Sequence, residues 1–117
     1  MKKLLLAASL LTISITPVPE VQASENISLR VCEYISVNDK KRLRKFLKTK
    51  KLKIRSIFGN IQCNGQNILV FAASSNALDT GELLISKLPV KTVAANLEAV
   101  TQHSAHLGTK AKARVEK

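Results

Sequence analysis

Residues 64–89 read NGQNILVFAASSNALDTGELLISKLP and carry the clearest signals of secondary structure in the chain. After an Asn-Gly turn, the apolar run 68–73 fits either a buried helix or a central strand by periodicity alone. The second half favours a helix, because Asn76 is a good N-cap and Pro89 ends the helix that follows it. The stretch therefore predicts a helical hairpin whose second helix buries one face, formed by Ala77, Gly81, Leu84, Ile85 and Leu88.

A second hairpin is predicted upstream of this one, although its first element stays open between two structures. Residues 28–36 fit a helix with one apolar face, but their alternating pattern also permits a short strand. Residues 39–48 are predicted as a helix, with Ser36 or Asn38 as its N-cap. Its buried stripe is formed by Leu43, Phe46 and Leu47.

The remaining segments complete a mostly α fold, a small domain of two or three helical hairpins. Residues 49–65 are expected to form a long connection with a helical turn at 54–58, and residues 92–100 another short helix. From residue 102 onward the chain is polar, small and basic. The expected division is therefore a helical domain at 24–101 and a flexible basic tail at 102–117.

The N-terminus has the three zones of a cleavable secretory signal. Lys2 and Lys3 precede an uncharged, mostly apolar run at 4–16, and a small residue, Ala23, ends the zone. A bilayer span needs about 20 apolar residues, so this run is too short for an anchor. We expect residues 1–23 to be removed and the mature protein to be periplasmic or secreted, without a transmembrane anchor.

The mature chain has the length of one domain and a strongly basic balance. Loss of the signal lowers the formal net charge from +11 to +10, and the chain has no Trp and few other aromatic residues. A core of this kind benefits from a covalent crosslink. Cys32 and Cys63 are the two cysteines. In an oxidising compartment they are expected to form a disulfide, with two reduced thiols or redox or metal chemistry as the alternatives.

Two resemblances are visible in the region of the hairpins. The Asn-Gly turn, the apolar-Ala-Ala helix and the Leu-Leu helix resemble a degenerate ankyrin repeat, and a shift of 37 residues gives the first hairpin as a second copy. The core Cys-Asn-Gly-x-x-Ile-x-x-Phe-Ala at 63–72 resembles a family of small exported Gram-negative bacterial proteins of unknown function. That resemblance implies an exported location and pairing of Cys32 with Cys63, and it implies no activity.

The segment 40–55 carries the main functional prediction, because ten of its sixteen residues are basic. Its apolar minority has helical spacing, which makes the segment amphipathic. Ten like charges repel one another, so we expect either an anion-binding surface or a solvated face that aids solubility. The outward candidates for binding an anion or a partner are Lys40, Lys41, Arg44, Lys45, Lys48 and Lys51.

Other chemistry has little support in the sequence. His103 and His106 have helical spacing but no neighbouring ligands, so no metal is expected, and the chain has no catalytic or cofactor motif. No aromatic residues for stacking interleave the lysines, which argues against sequence-specific nucleic-acid binding.

The sequence predicts a non-enzymatic exported module that binds an acidic protein, lipopolysaccharide or anionic lipid through its basic helix. The alternatives are a small envelope hydrolase or redox protein whose site assembles from Cys32 or from scattered polar residues, or a structural envelope protein without a defined ligand.

Overall fold

The computed structural model describes residues 19–117, and their side chains from residue 26 onward. The expected secretory signal at 1–23 therefore lies outside the described residues, apart from the helical backbone of 19–23. Eight helices and one two-stranded sheet make up the described chain. They are α1 (Pro19–Ser36), α2 (Lys40–Thr49), α3 (Ile54–Ile57), β1 (Gln62–Cys63), β2 (Gln66–Asn67), α4 (Ile68–Ser74), α5 (Leu78–Lys87), α6 (Val90–Ala95), α7 (Leu97–His103) and α8 (Ala105–Glu116).

The first hairpin consists of α1 and α2, so residues 28–36 are helical. The N-cap of α2 is Asp39, whose side chain accepts a hydrogen bond from the Arg42 N–H at 3.0 Å, rather than the expected Ser36 or Asn38. Leu43 and Leu47 of α2 are buried in the core, as the apolar spacing predicts. Phe46 is only half-buried, and its ring meets Tyr34 edge to face.

The second hairpin consists of α4 and α5, preceded by the tight β1–β2 turn. Asn64 and Gly65 both have positive φ, which an Asn-Gly turn between antiparallel strands favours. The run 68–73 is a buried helix, capped by the Asn67 side chain, which accepts from the Val70 N–H. As expected, α5 ends before Pro89, where Leu88 is already extended.

The predicted N-cap of α5 is wrong, and the actual cap comes from the other hairpin. Asn76 has φ +56 and ends α4, and α5 begins at Leu78 without a side-chain cap of its own. Instead, the Asn38 Oδ1 accepts hydrogen bonds from the Asp79 N–H at 2.9 Å and the Thr80 N–H at 3.0 Å. Asn38, in the turn between α1 and α2, thus caps α5, which follows the turn between α4 and α5.

The two hairpins are related by an offset of 38 residues. This offset places α2 on α5 from end to end, and Asn38 on Asn76, which share a φ near +57. This structural offset is one residue longer than the shift of 37 residues that relates the two hairpins in the sequence. The ankyrin resemblance stays a prediction.

The C-terminal region differs from the expected flexible tail. Instead of one helix at 92–100, the chain forms α6 and α7, and α8 then packs against α5, α6 and α7. Leu107 and Ala111 of α8 are fully buried, and the Arg114 guanidinium donates to the Leu88 carbonyl oxygen at 2.9 Å. Because its inward stripe includes Gly108 and Ala111, α8 has little apolar signal in the sequence, although small residues allow close helix packing.

A disulfide joins the two halves of the core. The Cys32 and Cys63 sulfurs are 2.04 Å apart, with their α-carbons 5.7 Å apart, within the geometry of a bridge. The bond links α1 to β1, and the predicted pairing is confirmed. Within the described residues, none of the helices is long and apolar enough to span a bilayer.

Candidate functional site

The basic side chains of α2 point outward because its apolar residues fix the inward face. Leu43 and Leu47 lie one helical turn apart and are both buried; of the positions between them, Arg44 and Lys45 are exposed and Phe46 is half-buried. The six predicted binding residues are all exposed: Lys40, Lys41, Arg44, Lys45, Lys48 and Lys51. Lys51 follows the helix with φ +58, a left-handed conformation that is uncommon for residues other than glycine.

Few of these charges have an acidic partner. Among the described side chains, the one ion pair in segment 40–55 joins Arg42 to Asp39, at 3.4 Å. The other nine basic side chains of the segment have no described carboxylate within the 4.0 Å limit of an ion pair. Lys50 instead lies over the Phe46 ring, with its Nζ 5.9 Å from the centroid, in a cation–π contact. The surface of α2 therefore carries a dense positive charge that the described part of the protein does not neutralise.

An open groove of about 700 Å³ lies beside α2. We call it the cationic groove. It lies where α2 and α3 both contact α5. Its rim is formed by Arg44, Lys45, Lys48, Lys53, Arg55 and Lys87, and its floor by Leu47, Leu52, Ile54 and Leu83.

The structure divides the predicted site residues into two sets. Arg44, Lys45 and Lys48 line the cationic groove, whereas Lys40, Lys41 and Lys51 do not.

Three groove cations were missed as site residues by sequence reasoning. Lys53 and Arg55 belong to the basic segment but follow the end of α2 and the positive φ of Lys51, so the periodicity of α2 does not place them. Lys87 is the last residue of α5, far away in sequence. Its sequence signal is its position four residues after Leu83 on a predicted helix, which places the two residues on the same face. That spacing indicates a groove residue only when α5 is known to lie beside α2.

The other candidate residues are engaged in structural contacts or stand alone. The Cys32 sulfur is bonded to Cys63, and the His106 ring hydrogen-bonds the Glu82 carboxylate, joining α8 to α5. That hydrogen bond is the main cause that lowers the pKa of Glu82, and the nearby Lys110 charge adds to it. His103 is exposed at the end of α7. Within the described residues, no three His, Cys, Asp or Glu side chains gather as metal ligands would.

Comparison with known protein families gives one match over the central part of the chain. The family described as "Protein of unknown function (DUF3718)" matches residues 31–95, more than half of the sequence, and the chain belongs to it. The match includes both cysteines and every residue of the cationic groove, and it ends before α7. No curated protein and no solved structure matches the chain. The predicted membership of a family without a known function is confirmed, while the ten-residue core motif stays a prediction.

Proposed function

We propose that this member of the DUF3718 family is an exported, non-enzymatic binding module that engages an anionic partner through α2. The partner would be an acidic protein or an anionic envelope component such as lipopolysaccharide or anionic lipid. The observation that carries the proposal is the set of nine exposed cations in segment 40–55 that have no described carboxylate partner.

These unpaired like charges destabilise the isolated protein and favour formation of a complex with an anion. Like charges on neighbouring helical turns repel one another, which destabilises the helix that carries them. An anion placed among them relieves that repulsion and is attracted over a long range at low salt. A merely solubilising face would gain little from concentrating so many like charges on one helix.

Export is supported by two independent features. The N-terminal sequence has the zones of a secretory signal, and the two cysteines form a bond that persists in oxidising compartments. An exported location would also bring the basic surface into contact with the anionic components of the envelope.

The alternatives have less support. A hydrolase that uses Cys32 as its nucleophile would need a free thiol, and this sulfur is bonded to Cys63. A structural envelope protein without a ligand would not need the unpaired charges of α2.

The proposal is tested by binding of residues 24–117 to vesicles that contain anionic lipid, with neutral vesicles as reference. A basic residue near an anionic membrane surface contributes about 1 kcal/mol, so replacing four of them should weaken binding by at least about tenfold. The test variant replaces Lys41, Arg44, Lys45 and Lys48 by Gln, which keeps the helix propensity nearly unchanged.

A matched control removes the same charge from another surface. It replaces four exposed lysines outside segment 40–55 by Gln, namely Lys91, Lys110, Lys112 and Lys117. We expect this control to retain most of the binding. Equal losses in the two variants would refute the role of α2, and absence of binding by the unmodified protein to any anionic vesicle would refute anionic lipid as its partner.

A further inference from the structure

We propose that the cationic groove is the specific binding site of the protein and that its ligand is a phosphorylated amphiphile, a phosphate-bearing headgroup with an attached apolar chain. This inference rests on the proposed function and narrows it, since it assigns a ligand class and a set of residues from three elements. The proposed binding site is the groove, and it does not include the rest of the α2 surface.

The first argument is the convergence of charge on one concave space. Lys48 comes from α2, Lys53 from the start of α3, and Lys87 from the end of α5. Folding therefore brings together cations that are distant in sequence, and among the described side chains no carboxylate forms an ion pair with any of the six rim residues. The chain leaves α2 through the left-handed backbone at Lys51, and Lys53 beyond it lines the same groove. A planar membrane meets exposed, convex surfaces, whereas a groove suits a single molecule.

The second argument is the apolar floor. Leu47, Ile54 and Leu83 are buried and Leu52 is half-buried, so the apolar surface that the floor still exposes comes mainly from Leu52. A free inorganic anion would leave this surface unused, but an apolar chain would cover it and remove it from water. The groove volume of about 700 Å³ is also in the range of small-ligand sites, which suits a headgroup with part of one chain.

The third argument is the charge of the rim, which favours phosphate over carboxylate. Six cations surround the groove, and four of them are lysines, which bind phosphate as compact point charges. A phosphate monoester carries a charge of about −1.5 to −2 at pH 7, against −1 for a carboxylate. A phosphorylated headgroup therefore neutralises this rim within a smaller volume than an acidic peptide would need.

The experiment compares four probes on residues 24–117 by calorimetric titration at about 0.15 M salt, where the screening length is about 8 Å. Dodecyl phosphate, below its micellar concentration, carries both features; pyrophosphate lacks the chain, and dodecylphosphocholine lacks the net charge. A glutamate-rich peptide represents the acidic-protein class. We expect dodecyl phosphate to bind at least about tenfold more tightly than each of the others, because only it uses both the rim and the floor.

Two variants with equal charge locate the site. The groove variant replaces Lys48, Lys53 and Lys87 by Gln, and the control replaces three exposed lysines outside both the groove and segment 40–55: Lys91, Lys112 and Lys117. The groove variant should lose at least about tenfold in affinity for dodecyl phosphate while the control stays within about threefold, since contact charges are screened less than distant ones. Circular dichroism checks that both variants fold.

The outcomes separate this inference from the proposed function. Equal losses in the two variants, equal affinity for pyrophosphate and dodecyl phosphate, or stronger binding of the peptide would each overturn the inference. In those cases vesicle binding through α2 would still stand. If the protein binds anionic vesicles but not dodecyl phosphate, the inference fails alone, and if it binds no anion, both fail.

Discussion

Replacing Asn38 by Ala should destabilise the protein through two separate effects. Asn38 has φ +57, and its Oδ1 accepts the Asp79 and Thr80 N–H groups that begin α5. Loss of a helix cap costs about 1 kcal/mol, and the left-handed conformation costs Ala about 1 kcal/mol more than Asn or Gly, which both adopt it readily. The sum of about 2 kcal/mol corresponds to a fall in Tm of about 8–16 °C for a domain of this size.

Asn38→Gly is the control that separates the two effects. Glycine adopts the positive φ freely but offers no acceptor to α5, so only the capping contribution is lost. We expect Asn38→Gly to lower the Tm by about half as much as Asn38→Ala, measured by thermal unfolding followed by circular dichroism. Equal effects of the two substitutions would refute the backbone contribution. An unchanged Tm for Asn38→Gly would refute the cap between the hairpins.

Three further predictions concern the contacts that hold the domain together. Cys32 and Cys63 are 31 residues apart, so reduction of their bond should lower the free energy of unfolding by about 3–4 kcal/mol. The Tm should fall while most of the helix signal remains at low temperature. An unchanged Tm would contradict this prediction. Gly108→Ala should lower the free energy of unfolding by about 1–3 kcal/mol, because the new Cβ would lie 2.9 Å from a backbone α-carbon of α7. Gly59 has open space around it, so Gly59→Ala should have little effect; urea unfolding of both variants measures the difference. Because its histidine partner lowers the pKa of Glu82 below 4.5, this contact should stabilise the fold at neutral pH and stop doing so as the pH falls through the lowered pKa. The Tm of Glu82→Gln should therefore be slightly below that of the unmodified protein at pH 7 and equal to it at low pH; a gap that persists in acid argues against the contact.

The helical hairpins could be predicted because their signals are local. Leu43 and Leu47 are one turn apart, the Asn-Gly turn at 64–65 adopts positive φ, and Pro89 ends α5, so each feature is visible within a few residues. These patterns predict which segments are helical and which face of each helix is buried, without knowledge of the rest of the fold.

The errors arose where one residue type serves two purposes. Asparagine is favoured both as an N-cap and at positive φ, so the sequence does not say whether Asn76 begins α5 or ends α4. The cap from Asn38 depends on contact between the hairpins, which no local pattern encodes. In α8, Gly108 and Ala111 supply the inward face, and such small residues resemble those of an unstructured tail.

The exposure of the predicted binding residues was predictable to the same extent. The exposed cations of α2 follow from its apolar face, and all six predicted residues are at the surface. The cationic groove could not be predicted, because Lys87 joins Lys48 only when α5 lies beside α2.

Whether the cations of α2 form a binding surface is tested most directly by the salt dependence of vesicle binding. Residues 24–117 would be titrated with anionic vesicles at increasing salt, since the screening length shortens from about 10 Å at 0.1 M to about 3 Å at 1 M. We predict a steady loss of affinity with salt, and a shallower slope when Lys41, Arg44, Lys45 and Lys48 are replaced by Gln. No binding at low salt, or the same slope in the variant, would contradict the proposed role of α2.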